Sequence, residues 1–382
     1  MPDQNVPVPP LQTLLSAYEK QLGNEELATG GRLLVGLVGA GIPEEPILAA
    51  GATPVQVFPQ PGEETPVADQ HLNADESPVL RSLLDKLAGT YRDRLSLAVI
   101  GAPFANLSVM IEELRRDARL PGAVPCAYFE MMAVQTEENR LYSRDRTADL
   151  TRRLGLLAGE PVSREALASA IEATNRRRRV MSKFIAARRE SASLTGTEAY
   201  QALGAHLFLR PETHADLLND VLDQSEPRAD LQARPRILIV PSSPLTHAHA
   251  HRVLEEAGAL VVAEDDPFGA RAAPGLIPVT DDPLTAISDF YFENRTGERV
   301  YPANSRLGWF QEEAGKPDID GVVFYVQEPK FGWDIPAMRE FLDAAGKPSL
   351  LALADARTAS GREKLKALSE PFIAGLSAGR AR

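Results

Sequence analysis

Two glutamates stand directly after a proline at the end of an apolar run, Gly36-Leu37-Val38-Gly39-Ala40-Gly41-Ile42-Pro43-Glu44-Glu45. Proline fixes the turn, and a carboxylate held there has two uses: Glu44 or Glu45 meets a substrate, or it caps the N-terminus of a short helix over 46–50. A second acidic turn, Asp265-Asp266-Pro267-Phe268-Gly269-Ala270-Arg271, ends in an arginine that pairs either with a ligand phosphate or with Asp265 or Asp266. Ser242 and Ser243 follow an apolar stretch, where a serine pair leading into a helix holds an anion through the helix N-terminus. His247, His249 and His251 offer imidazoles, with the outer two spaced i, i+4 on one helical face. Zinc asks for about three or four ligands, and no neighbouring glutamate completes a metalloprotease pattern. The run is therefore read as the start of a helix reaching Ala257, and no metal site is expected. A phosphate-binding P-loop and a dinucleotide Gly-x-Gly-x-x-Gly turn are both absent from the sequence.

The elements that must position these residues alternate. Strand-like runs at 33–38, 54–58, 95–101 and 124–128 are bounded by Gly or Pro and separated by helix-length segments, which predicts parallel strands joined by crossover helices. From about 144 to 223 the pattern is almost continuously helical, with Ser163 as an N-cap. A polar linker is expected at 225–230, and a second set of strands follows at 236–240, 260–263, 321–326 and 349–353, with helices over 250–257, 338–345 and 362–376. The expected fold is α/β: two Rossmann-like or flavodoxin-like parallel-sheet domains joined by a helical segment. The expected division is a helical lead-in at 1–29, a first α/β domain at 30–143, a helical bridge at 144–225 and a second α/β domain at 226–382. Ligands of open parallel sheets bind beyond the carboxyl ends of the strands. The loops 39–45, 102–106, 241–246 and 327–334 are therefore expected to line a cleft between the two halves.

Composition narrows the function classes. The chain has 382 residues and a formal charge of −12, which argues against nucleic acid as a partner because a phosphate backbone needs clustered Lys and Arg. The run Arg176-Arg177-Arg178-Arg179 sits inside the helical pattern and is expected to form a solvated or interdomain helix face. No apolar run approaches the roughly 18 residues of a membrane span, and the N-terminal residues lack a signal-peptide pattern. With Cys126 as the sole cysteine, the expected compartment is the cytoplasm.

The stretch from Gly36 to Val55, and a second from Asp320-Gly321-Val322-Val323 through Lys330-Phe331-Gly332-Trp333-Asp334 to Leu353 and Asp355, resemble the 2-hydroxyacyl-CoA dehydratase D-component and benzoyl-CoA reductase subunit family. The turn ending in Arg271, Asp281-Asp282-Pro283-Leu284 and Asn304-Ser305-Arg306 fit the same pattern, so the resemblance covers most of residues 30–379. The family's pattern has three cysteines holding an iron-sulfur cluster. Here those positions fall on Ser77 in Ser77-Pro78-Val79-Leu80-Arg81-Ser82, on about Ala105 just before Asn106, and on Gly332. Such clusters depend on soft thiolate sulfur, and neither alanine nor glycine offers a ligand atom. Cys126 lies off all three positions.

The resemblance thus implies a subunit of a dehydratase or reductase complex that binds acyl-CoA and holds no cofactor itself. Glu44, Glu45 and Ser77 would face the substrate, and Ser242, Ser243, Arg271 and Lys330 would contact acyl-CoA. Any iron-sulfur cluster would sit on a cysteine-bearing paralogous partner subunit, served by an ATP-dependent activator. The alternative it leaves open is a non-catalytic acyl-CoA-binding or regulatory protein on the same fold.

Overall fold

The computed structural model describes residues 9–22, 33–295, 300–302, 304–327 and 332–380. Two four-stranded parallel sheets form it. The first contains β1 (Leu34–Val38), β2 (Thr53–Gln56), β3 (Leu97–Gly101) and β4 (Cys126–Phe129) in the order β2-β1-β3-β4. The second contains β5 (Arg236–Pro241), β6 (Leu260–Glu264), β7 (Gly321–Val326) and β8 (Ser349–Leu353) in the order β6-β5-β7-β8. β1 and β7 are buried along their whole length, as expected of central parallel strands covered by helices on both faces. The observed strands lie within two residues of those expected at either end. β4 starts at Cys126 rather than Val124 because Pro125 has no N–H to give the ladder; its carbonyl instead accepts from Ala98 N at 2.8 Å.

Helices fill the interval between the sheets. Glu137–Ala158 is capped by Thr136, and Arg164–Ser191 by Ser163, whose side chain accepts from Ala166 N as the sequence pattern predicts. Gly196–Gly204 opens with a capping box between Thr195 and Glu198. Within the expected linker, residues 225–228 carry no regular structure. Arg228 N donates to Ala192 O at 3.2 Å, and Ala229–Gln232 is helical. The arginine run is the larger surprise: Arg177 and Arg178 are 2% and 5% exposed, and their helix packs against the turn that carries Glu44 and Glu45. Among the described residues no helix is long and apolar enough to cross a membrane.

Candidate functional site

A cavity of about 690 Å³ lies between the carboxyl ends of the two sheets. The loops after β1, β3 and β5 line it, as expected, and so do the segments following β2 and β6. Of the fourth expected loop, residues 328–331, including Lys330, lie outside the described residues. Gly332 borders a separate groove beside β8, whereas Asp334 reaches the cavity wall indirectly, accepting from Arg306 Nη1 at 2.6 Å.

The β1 loop approaches with bare backbone. Gly39 and Gly41 adopt φ of +102° and +76°, conformations that a side chain at Cβ would strain, and both line the cavity. The two glutamates that follow part company. Glu44 is on the wall and forms an ion pair with Arg177, while its N–H donates to Tyr291 Oη at 3.4 Å. Glu45 is fully buried and is not part of the wall. Its Oε1 accepts from Arg178 Nη2 at 2.7 Å and Thr174 Oγ1 at 2.9 Å, and its Oε2 is buried with no described partner. Arg178 also lies over the Phe290 ring, 4.9 Å from its centroid.

Ser77 precedes the helix Pro78–Asp85 and lines the cavity, and its side chain makes no capping bond. Ser242 and Ser243 also line it, but not at a helix N-terminus: the next helix, His249–Glu256, begins six residues later, so that anion-binding rationale is corrected. Both serines are tied to Gln327 instead, with Ser242 Oγ accepting from its N–H at 3.2 Å and Ser243 Oγ donating to its Oε1 at 2.6 Å. Arg271 takes the internal alternative, pairing with Asp265 at 2.7 Å while its guanidinium lies 5.0 Å from the Trp309 ring centroid. Asp265 is shared, accepting from Arg306 Nε at 2.6 Å. The wall is rich in guanidinium groups, and Arg177, Arg178, Arg271 and Arg306 are each paired with a carboxylate within the protein.

The histidine run does not form a shared ligand face. His247 precedes the helix and stacks on His249 with centroids 5.1 Å apart, while His251 is buried against Tyr200 and 3.4 Å from Glu264. Among the described residues no group of three or more His, Cys, Asp or Glu can hold a metal.

The donors at the three cluster positions do not fit iron and sulfide. Ala105 opens the helix Ala105–Arg116 with only a methyl group. Gly332 has φ of +92°, a conformation that strains any side chain, and a Cβ there would lie 2.6 Å from Ile335 Cδ1, so a thiolate would require that side-chain end to shift as well. Cys126 sits in β4, where its S–H donates to Val124 O at 3.3 Å; burial, reinforced by Glu112, pushes its pKa up to about 12.

Sequence reasoning missed Arg177, Arg178 and His206 as wall residues. A charge run announced the first two without revealing their burial. Nothing in the sequence around His206 marked it.

The family described as 2-hydroxyglutaryl-CoA dehydratase, D-component, matches residues 40–371. The chain is 22% identical over 348 residues to the (R)-phenyllactyl-CoA dehydratase beta subunit of Clostridium sporogenes, spanning 89% of this chain and 92% of that subunit. It is 26% identical over 314 residues to the protein YjiM of Escherichia coli (strain K12), spanning 78% of this chain and 79% of that protein. With the family's pattern running through both sheets and the loops between them, the chain belongs to the 2-hydroxyglutaryl-CoA dehydratase D-component family.

Proposed function

We propose that this subunit of a 2-hydroxyacyl-CoA dehydratase-type complex binds an acyl-CoA thioester in the cleft between its sheets and holds no iron-sulfur cluster of its own. The observation that carries the reading is the cavity of about 690 Å³, a size suited to a cofactor-sized ligand, with an apolar lining that includes Phe58, Phe104 and Phe268 beside Arg177, Arg271 and Arg306. Apolar wall suits an acyl chain, and guanidinium groups suit phosphates. Glu44 and Ser77 are the acyl-facing candidates from the sequence that line the cavity; Glu45 lies outside the lining, paired with Arg178.

The unsuitable donor set at Ser77, Ala105 and Gly332 supports a division of labour in which a cysteine-bearing partner subunit holds the cluster. In that complex the cluster would supply low-potential electrons, and this chain's residues would bind and orient the thioester. The same donor set also supports a second reading, a binding or regulatory protein that has left redox chemistry altogether.

Calorimetric titration of the full chain with acyl-CoA tests the shared core of both readings. Saturable binding that weakens by about tenfold or more in a Glu44→Gln, Ser77→Ala double variant is expected, on the scale of one or two net hydrogen bonds. Binding unaffected by the two substitutions would move the acyl site elsewhere, and no binding would remove the proposal. Turnover of a 2-hydroxyacyl-CoA on adding a cysteine-bearing partner subunit and a reducing activator separates the first reading from the second.

A further inference from the structure

His206 lies in a 3-10 turn, Ala205–Leu207, and lines the cavity. Its Nδ1 is 2.7 Å from Leu203 O. A carbonyl oxygen only accepts, so Nδ1 must carry the proton, and in the neutral ring Nε2 is then an acceptor. Its backbone and ring are each held by a further contact. Arg177 Nη1 donates to the His206 carbonyl at 3.3 Å, and the ring packs edge-on against His214 with centroids 6.0 Å apart. His214 is itself anchored, its Nε2 donating to Ala202 O at 2.9 Å. No described residue partners His206 Nε2.

Burial, helped by the positive charge of Arg177, pushes His206 down to about 3, so the imidazole is neutral at physiological pH and keeps its lone pair. The surrounding wall supplies mostly donors. Arg177 and Arg178 are cations, and the carboxylate of Glu44 is already engaged by Arg177. A ligand with a hydroxyl group entering this end of the cleft therefore meets one neutral, oriented acceptor.

We propose that His206 Nε2 accepts a hydrogen bond from a ligand hydroxyl and so makes the cleft selective for 2-hydroxyacyl thioesters over the same thioesters without the hydroxyl. This rests on the acyl-CoA reading above and adds the discriminating contact. The full chain is titrated with 2-hydroxyhexanoyl-CoA and hexanoyl-CoA. Wild type is expected to prefer the hydroxylated thioester by about tenfold, the order of one net hydrogen bond. His206→Asn keeps a donor for Leu203 O but lacks the distal acceptor, and should bring the ratio near one. His206→Gln, with an amide oxygen further out, should recover the preference.

A wild-type ratio near one, or a ratio unchanged in His206→Asn, overturns the role of His206 while acyl-CoA binding itself stands. Failure of wild type to bind either thioester overturns the acyl-CoA reading, and this proposal with it. Should the variants not fold, ¹⁵N NMR of wild-type His206 decides. Its non-protonated Nε2 resonance should shift on adding the hydroxylated thioester and stay in place with hexanoyl-CoA; equal shifts with both would overturn the proposal.

Discussion

At Glu45 the chain commits a carboxylate to a fully buried place, with one oxygen on Arg178 and Thr174 and the other unpaired. Truncating one partner of such a pair leaves the other as an uncompensated buried charge, which costs about 3–5 kcal/mol. Glu45→Ala should therefore lower the midpoint of denaturant unfolding by that free energy divided by the slope m, with the slope unchanged if the transition stays two-state. Glu264 makes a comparable pair with Arg188, at 2.9 Å through both oxygens. Burial pushes its carboxyl up, but Arg188 and His251 outweigh that and hold it at about 2. A depressed carboxylate contributes stability that is fully present above its unfolded value of about 4.3 and is lost as pH falls toward 2. Wild type should lose stability across that window, and Glu264→Gln should flatten the pH dependence while lowering stability at pH 7; urea unfolding at stepped pH measures both.

The helix Arg164–Ser191 acts as the fastening between the halves. Arg177 and Arg178 grip the turn after β1, Arg188 grips the end of β6, and Arg189 binds Asp318 at 2.7 Å and Glu313 at 2.5 Å. Behind it the helix Gly196–Gly204 approaches β6 so closely that a Cβ at Gly196 would collide with the Val261 carbonyl. Gly196→Ala should cost about 1–3 kcal/mol, read as a fall in melting temperature, because backbone rather than a flexible side chain stands in the way. How far such elements were legible depended on whether the signal was local. β1 and β7 were readable as short apolar runs bounded by Gly or Pro, and Ser163 as a cap, since the causes lie within a few residues. Arg177 and Arg178 were readable only as a charge run. Their burial depends on Glu44 and Glu45, more than 130 residues earlier, which no local pattern can supply.

For the whole molecule, the expected two-sheet arrangement placed the cleft correctly, because ligand loops follow from strand direction. The division of labour within the wall was not legible: Ser242 and Ser243 turned to Gln327 and Arg271 to Asp265 through tertiary contacts. Donor chemistry makes a prediction at this scale. Chain purified without oxygen should contain no stoichiometric iron or acid-labile sulfide, and Gly332→Cys should not add any, since φ of +92° and Ile335 oppose a side chain there. Iron and sulfide in equal, stoichiometric amounts in the isolated wild-type chain would sink that prediction.

The two sheets are wound in the same order, each with its first strand flanked by the second and third and its fourth strand at the edge. Exchanging the lobes maps the loop after β3 onto the loop after β7. Ala105 and Gly332 are therefore topological counterparts, one half-site written twice along the chain. The helix opening at Pro78 lies outside that correspondence, on the segment after β2. The three positions picked out by the family resemblance thus comprise a topologically matched pair, Ala105 and Gly332, and one position, Ser77, without a counterpart among them.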